Sequence, residues 1–182
     1  MRITVVGKGN IGGGLGDLWE QAGHSVTRLG HNGGDVSDAE VVLLAVPGDA
    51  VAAALNGISG LEGKTVIDAT NLYGTTPPDG FGSNAEYVKS KTGGPTAKSF
   101  NVNYAMLFPR LGEARARPCN LWCGDDEARE VVEQLNRDAG YEPINAGPLG
   151  NAGAQEAMIP IIFAIGEAIG PFVYRMAPVE EL

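Results

Sequence analysis

Gly7, Gly9 and Gly12 fall in the pattern Gly-x-Gly-x-x-Gly, within Gly7-Lys8-Gly9-Asn10-Ile11-Gly12. Glycine is abundant in this chain, 27 of 182 residues, so the spacing alone says little. Its flanks make it specific. Arg2-Ile3-Thr4-Val5-Val6 before it is a β-branched apolar run and reads as a strand buried on both faces. Behind it Ile11, Leu15, Leu18, Trp19 and Ala22 recur with helical spacing. Between strand and helix each glycine has a task. Gly7 allows the tight turn, Gly9 lets the backbone approach a pyrophosphate, and Gly12 lets helix and strand pack closely. The phosphates would face the free N–H groups of the helix N-terminus. The stretch reads as a dinucleotide site.

The end of the second strand should then report on the cofactor. An NAD site closes this strand with Asp or Glu, for the ribose 2′-hydroxyl. Here Ser25-Val26-Thr27-Arg28-Leu29 runs into Gly30-His31-Asn32, with no acid before Asp35. The pattern leans towards NADP, with NAD as the other possibility, and with His31, Arg28 or both near the 2′-phosphate. An exposed loop histidine and an arginine pointing elsewhere are the plainer alternatives. Ligands of doubly wound sheets sit outside the carboxyl ends of the strands. Val46 and Pro47 after one strand, and Thr70 and Asn71 after another, therefore fall on the cofactor rim.

The elements that must hold these residues alternate throughout. Strands are expected at 40–46, 64–68, 96–101, 120–124 and 141–145, and helices at 49–55, 85–91, 103–111 and 125–139. Only seven residues, Gly33 to Ala39, separate the second strand region from the third, which leaves room for one helical turn at most. The Gly- and Pro-rich stretch Asn71 to Asn84 carries Tyr73 and Phe81, and reads as a lid or as a mobile surface loop. This alternation predicts an α/β fold, a Rossmann-type doubly wound and mostly parallel sheet. We expect a single domain over 1–182, with a core of about 1–147 and a helical extension of about 148–182. The extension, from Leu149 to Ile169, is apolar nearly all round, interrupted by Pro160 and shorter than a membrane span. It predicts a homodimer through the C-terminal helix, with burial inside one subunit as the alternative.

Totals narrow the partners. With 13 Lys and Arg against 22 Asp and Glu, the net charge of −9 argues against nucleic acid and anionic membranes. The basic cluster Arg110, Arg115 and Arg117 reads as a solvated face, or as a lure for an acidic cosubstrate. Cys119 and Cys123 on one strand would lie about 13 Å apart at ~3.3 Å per residue, too far for a disulfide. Two buried reduced thiols and no secretory signal suit the cytoplasm.

No nucleophile elbow, zinc spacing, phosphate-loop lysine or Ser/His/Asp set is present, and neither histidine reaches the nicotinamide end. Nor is there enough chain after Gly147 for a separate substrate domain. The hydride partner should therefore be another redox cofactor, which brings its own chemistry, and the pocket would stack and orient it. No catalytic side chain and no metal site are assigned.

A resemblance then becomes specific. Cys123-Gly124-Asp125-Asp126, the helix Glu127 to Leu135, and Glu142-Pro143-Ile144-Asn145-Ala146-Gly147-Pro148-Leu149 with Asn151 resemble the C-terminal half of the NADPH-dependent coenzyme F-420 reductases. These NADP oxidoreductases use a deazaflavin. Met1 to Gly16, Ala45-Val46-Pro47 and Lys98-Ser99-Phe100-Asn101 resemble the same family, and the related reductase domain of the membrane metalloreductases. The resemblance implies a usually dimeric nucleotide-binding domain and ring-to-ring hydride transfer between nicotinamide and deazaflavin C5. It implies that Gly7, Gly9, Asn10, Ile11 and Gly12 bind pyrophosphate, and that Val46 and Pro47 line the adenosine–ribose side. Asn101 and the residues after it would border both rings.

The chain departs from that family in three places. Gly30-His31 replaces a Ser-Arg pair, the second crossover is cut short, and Val102-Asn103-Tyr104 replaces a small or Pro-rich turn. Tyr104 could crowd the acceptor pocket. The leading expectation is a cytoplasmic NADP-dependent oxidoreductase with a deazaflavin-like small-molecule cosubstrate. The rivals are a flavin, quinone or ferric reductase and a silent NADP-binding redox sensor. Open space above the nicotinamide favours an enzyme; a pocket plugged by Tyr104 or by the Tyr73–Phe81 loop favours the sensor.

Overall fold

The computed structural model describes residues 1–181. In chain order the elements are β1 (Arg2–Val6), α1 (Asn10–Gln21), β2 (Ser25–Leu29), β3 (Gly34–Asp35), β4 (Val41–Leu44), α2 (Val51–Asn56), β5 (Ile58–Ser59) and β6 (Thr65–Asp68). There follow α3 (Asn84–Thr92), β7 (Thr96–Ser99), β8 (Cys119–Gly124), α4 (Arg129–Asp138), β9 (Glu142–Asn145), α5 (Ala152–Glu156) and α6 (Ile159–Ile169). The main sheet has the order β2-β1-β4-β6-β7-β8-β9. Its strands pair in parallel except across β7 and β8. The expected Rossmann-type α/β fold is found.

Alternation within the central strands feeds two cores. Val5, Leu43 and Ile67 face Leu15 and Trp19 of α1 and Val132 and Leu135 of α4. Val6, Leu44 and Val66 face Val51 of α2 and Val88 of α3. The Trp19 indole N–H donates to the Leu135 carbonyl at 2.9 Å, which ties α1 to α4.

The shortened crossover works by replacing a helix with a two-rung ladder. β3 pairs with β5, and Gly33, at φ +69°, approaches the Gly57 carbonyl so closely that a Cβ would stand 1.9 Å from its oxygen. The Asp35 carboxylate accepts from the Ser37 and Ser59 hydroxyls, and hydrogen bonds from both hold its pKa below the usual range.

Three expectations about the elements need correction. The strand expected over 96–101 stops at Ser99, because Phe100 takes φ +64° and turns Asn101 out of the ladder. Such a backbone costs of order 1–3 kcal/mol unless its surroundings enforce it. Trp19 and Tyr141, edge-on to the Phe100 ring at 5.8 and 6.5 Å, do so. The terminal helix is broken at Ala157 and Met158. Pro160 has no N–H to donate to the Glu156 carbonyl, so α5 ends there and α6 starts afresh. Leu149–Ile169 is not too short: its 21 residues are long and apolar enough to cross a membrane by length and composition. Its first half is nevertheless committed to the protein, with Ala152 and Gln155 buried in α5. On α6 only Ile159 and Ile162 are buried, while Ile161 is 61 % and Ile169 71 % exposed.

Cys119 and Cys123 are free, buried and on one strand, β8. Burial pushes the Cys123 thiol up to about 11, against the smaller opposing pull of Lys98. A raised pKa gives stability that is complete below the unfolded value and is lost as pH rises through the folded one. We expect the urea midpoint to fall between pH 9 and 11, and Cys123→Ala to flatten that part of the curve. An unchanged slope in the variant would assign the loss elsewhere, for instance to Tyr174, which burial pushes up to about 12.

Candidate functional site

The carboxyl edge of β1, β4 and β6 opens into two hollows and a groove that meet at Gly9. The three motif glycines are there for different reasons. Gly7 sits at φ +109°, and a Cβ on it would stand 2.3 Å from the Ala45 carbonyl oxygen. A Cβ on Gly12 would stand 2.1 Å from the Gly7 oxygen. Both positions are glycine because the protein's own backbone leaves no room. Gly9 differs: at φ −75° it strains no residue, and nothing lies within 4 Å of where its Cβ would be. It also offers no side-chain cap to α1, whose first N–H groups have no carbonyl partner within the helix. Packing does not explain this glycine; a phosphate ligand close to that backbone would. The loop fits a dinucleotide pyrophosphate.

The first hollow, of about 520 Å³, lies between the Gly7–Gly9 loop, the turn after β2, and α2. Val46, Pro47, Ala50 and Ala54 give it apolar walls, and His31 and Lys8 line it as well. Arg28 does not reach it. Its guanidinium lies over Gly16 on the α1 face of the sheet, 2.7 Å from both Asp17 and Glu20, and these bonds raise its pKa. Strand parity turns it away, which corrects its assignment to the 2′-phosphate. Lys8, which sequence reasoning passed over, stands at the hollow instead. Its signal was a lone cation inside the glycine motif.

The second hollow, of about 600 Å³, is the open cleft over the strand ends. Asn10, Ile11, Val46, Pro47, Thr70 and Asn71 line it. Asn101 does not. It lies behind Asn71, whose side chain donates to the Asn101 carbonyl at 2.8 Å, while the Asn101 amide donates back to Asn71 at 3.0 Å. Gln155 of α5 donates to the Asn101 carboxamide oxygen at 2.7 Å. Asn101 thus aims the cleft wall from behind, because the Phe100 turn removes it from the surface. Asn84 fixes the other wall residue, donating to the Thr70 hydroxyl at 3.0 Å.

Behind that wall Lys98 is wholly buried, 2.9 Å from Asp68 and 2.6 Å from Glu156, and it also donates to the Thr70 carbonyl. The cleft has an aromatic roof. Tyr73 stacks on Phe163 of α6 at 6.1 Å, and the Tyr104 ring tilts against the same phenylalanine at 6.5 Å. The Tyr104 hydroxyl donates to the Ile162 carbonyl at 2.9 Å, in a notch that only Gly166 leaves open. Tyr104 therefore lies along α6 and the cleft stays open. Phe81 packs on Tyr87 at 5.7 Å, so only the Tyr73 end of that loop faces the cleft. Among the described residues no cluster of three His, Cys, Asp or Glu could hold a metal. Arg110 pairs with Glu113 at 2.7 Å.

Fold and loop together define a Rossmann-type α/β protein. No family model matches the chain. It is 29 % identical over 154 residues to metalloreductase STEAP3 of Rattus norvegicus, 77 % of this chain and 31 % of that one, so it spans about a third of that relative. Its fold superposes with a TM-score of 0.79 on a protein assigned as an F420-dependent NADP reductase from Arthrobacter sp. FB24, 22 % identical over 98 % of this chain and all of that one. It also superposes on the reductive aminase of Aspergillus terreus in complex with NADPH, with a TM-score of 0.66 and 15 % identity over 92 % of this chain and 63 % of the other. The resemblance read from the sequence returns in both comparisons.

Proposed function

We propose that this protein is an NADPH-dependent oxidoreductase that passes hydride between the nicotinamide and a flat, deazaflavin-like acceptor. One observation carries the reading: the cleft runs open from Gly9 to a roof of Tyr73, Tyr104 and Phe163. The first end suits a dinucleotide, and the second offers ring faces for stacking. Bound NADPH would supply the hydride, both electrons passing to the acceptor, with a proton from solvent balancing the reduced acceptor. The lining holds no His, Lys or Cys, and its one carboxylate is Asp49. Orientation and exclusion of water are what these side chains supply. The likeness to a metalloreductase supports a reductase, and the NADPH held by the Aspergillus neighbour supports the cofactor.

Stopped-flow absorbance with NADPH and oxidised deazaflavin coenzyme tests this. Matched loss of the nicotinamide and deazaflavin bands is expected. Tight NADPH binding without oxidation would leave the silent sensor, and oxidation by flavins or quinones alone would move the acceptor.

We further propose a cytoplasmic homodimer, with a second copy covering the exposed Ile161, Ile165 and Ile169 of α6. Ile161→Lys with Ile169→Lys should give a folded monomer by sedimentation. A monomeric parent protein would overturn this.

A further inference from the structure

We infer that the buried cluster of Asp68, Lys98 and Glu156 sets the field in the cleft: its one excess negative charge favours the oxidised, cationic nicotinamide over the reduced, neutral one. This rests on the reading of the second hollow as the nicotinamide site. The two forms of that ring differ by a hydride, and with it by one unit of charge.

Two carboxylates share one ammonium, which lies 2.9 Å from Asp68 and 2.6 Å from Glu156. All four carboxylate oxygens receive an N–H. Lys98 donates to one oxygen of each residue. The Thr70 N–H donates to Asp68 Oδ1 at 2.9 Å, and the Leu72 N–H to Glu156 Oε2 at 3.2 Å. A protonated carboxyl needs an acceptor for its own hydrogen, whereas here every oxygen faces a donor. Among the described residues no second cation pairs with either carboxylate. The neighbouring Cys123 thiol adds no charge, because burial pushes it up to about 11.

One residue separates this charge from the cleft. Thr70 lines the hollow and is held at its N–H by Asp68 and at its carbonyl by Lys98. The Asn71 carboxamide beside it is tied back to Asn101. The lining adds no cation, and its one carboxylate, Asp49, is exposed to water and screened. Asp68 and Lys98 are wholly buried, so their field is screened far less. A fixed negative charge there attracts a cationic ring and does little for a neutral one. By linkage, the factor by which it tightens the oxidised form also favours departure of the hydride.

Calorimetry with NADP⁺, NADPH and 2′,5′-ADP, a fragment without the nicotinamide, tests this. The parent protein should bind NADP⁺ about threefold or more tighter than NADPH. Glu156→Gln removes the excess charge and leaves Lys98 paired with Asp68. It should weaken NADP⁺ about tenfold relative to NADPH and leave 2′,5′-ADP binding unchanged. Asp68→Asn should shift the ratio in the same direction, and serves if Glu156→Gln does not fold. Equal loss of both nicotinamide forms would mean that Glu156 acts by holding the loop at Leu72, and would overturn the inference. So would a parent protein that does not prefer NADP⁺. Should NADP⁺ and NADPH bind alike and no tighter than the fragment, the ring would not occupy the hollow, and the reading beneath the inference would fail with it.

Discussion

Lys98→Met should cost about 3 to 5 kcal/mol of folding stability. Lys98 and Asp68 are wholly buried, and the Glu156 side chain is only 10 % exposed. Removing the cation leaves two carboxylates facing each other in a dry interior, and the Thr70 carbonyl loses its donor. Desolvation already makes such a cluster a weak net stabiliser, whereas breaking it on one side is severe. Set against a total of about 5 to 15 kcal/mol, the urea midpoint should fall by roughly 2 M. Asp68→Asn in the Lys98→Met background should recover part of the loss, because it removes one uncompensated charge. A Lys98→Met variant within about 1 kcal/mol of the parent would mean that the cluster is not an ion-paired core. The loss should also be felt in the cleft. Glu156 accepts from the Leu72 N–H at 3.2 Å through its second oxygen, so the cluster joins α5 to the loop that carries Tyr73.

How the sequence announced some of this and hid the rest follows from range. The strand, glycine turn and helix of residues 2–21 are local, and their spacing suffices to read them. Asp68 closes β6, Lys98 stands one residue before the end of β7, and each is conspicuous singly. Their meeting depends on the β6–β7 register, which sets Asp68 opposite Lys98, and on Glu156 arriving from 58 residues further along. Neither fact is written in either strand. Arg28 was misplaced for a simpler reason: strand parity decides its face, and a five-residue strand with half-exposed residues on both sides does not declare its parity. Phe100 is the hardest case. A positive φ at an aromatic residue has no local signature, and it moves Asn101 from the rim of the cleft to the layer behind it. Phe163 was legible only as part of an apolar helix, because its contacts with Tyr73 and Tyr104 come from far along the chain.

Gly9→Ala should leave the protein as stable as the parent to within about 1 kcal/mol and weaken NADPH binding on the order of a hundredfold, which is about 2.8 kcal/mol. Stability is spared because two small effects oppose each other. Alanine restrains the unfolded chain and suits φ −75° and ψ −170°, but caps a helix slightly worse than glycine. Binding is not spared. The new methyl group would project into the open space where the two hollows and the groove meet, the space the pyrophosphate needs. Gly12→Ala is the contrasting variant. Its Cβ would meet the Gly7 carbonyl oxygen at 2.1 Å and the Val5 side chain at 2.9 Å, so helix and strand must separate. That overpacking should cost roughly 1 to 3 kcal/mol or more before any ligand is added. Thermal melts with and without NADPH read both effects in one experiment. Gly12→Ala should lower the melting temperature of the free protein, whereas Gly9→Ala should keep it and lose the shift that NADPH gives. If Gly9→Ala still bound NADPH as the parent does, the pyrophosphate would not lie over Gly9, and the one glycine in the motif that packing does not require would have no ligand to explain it.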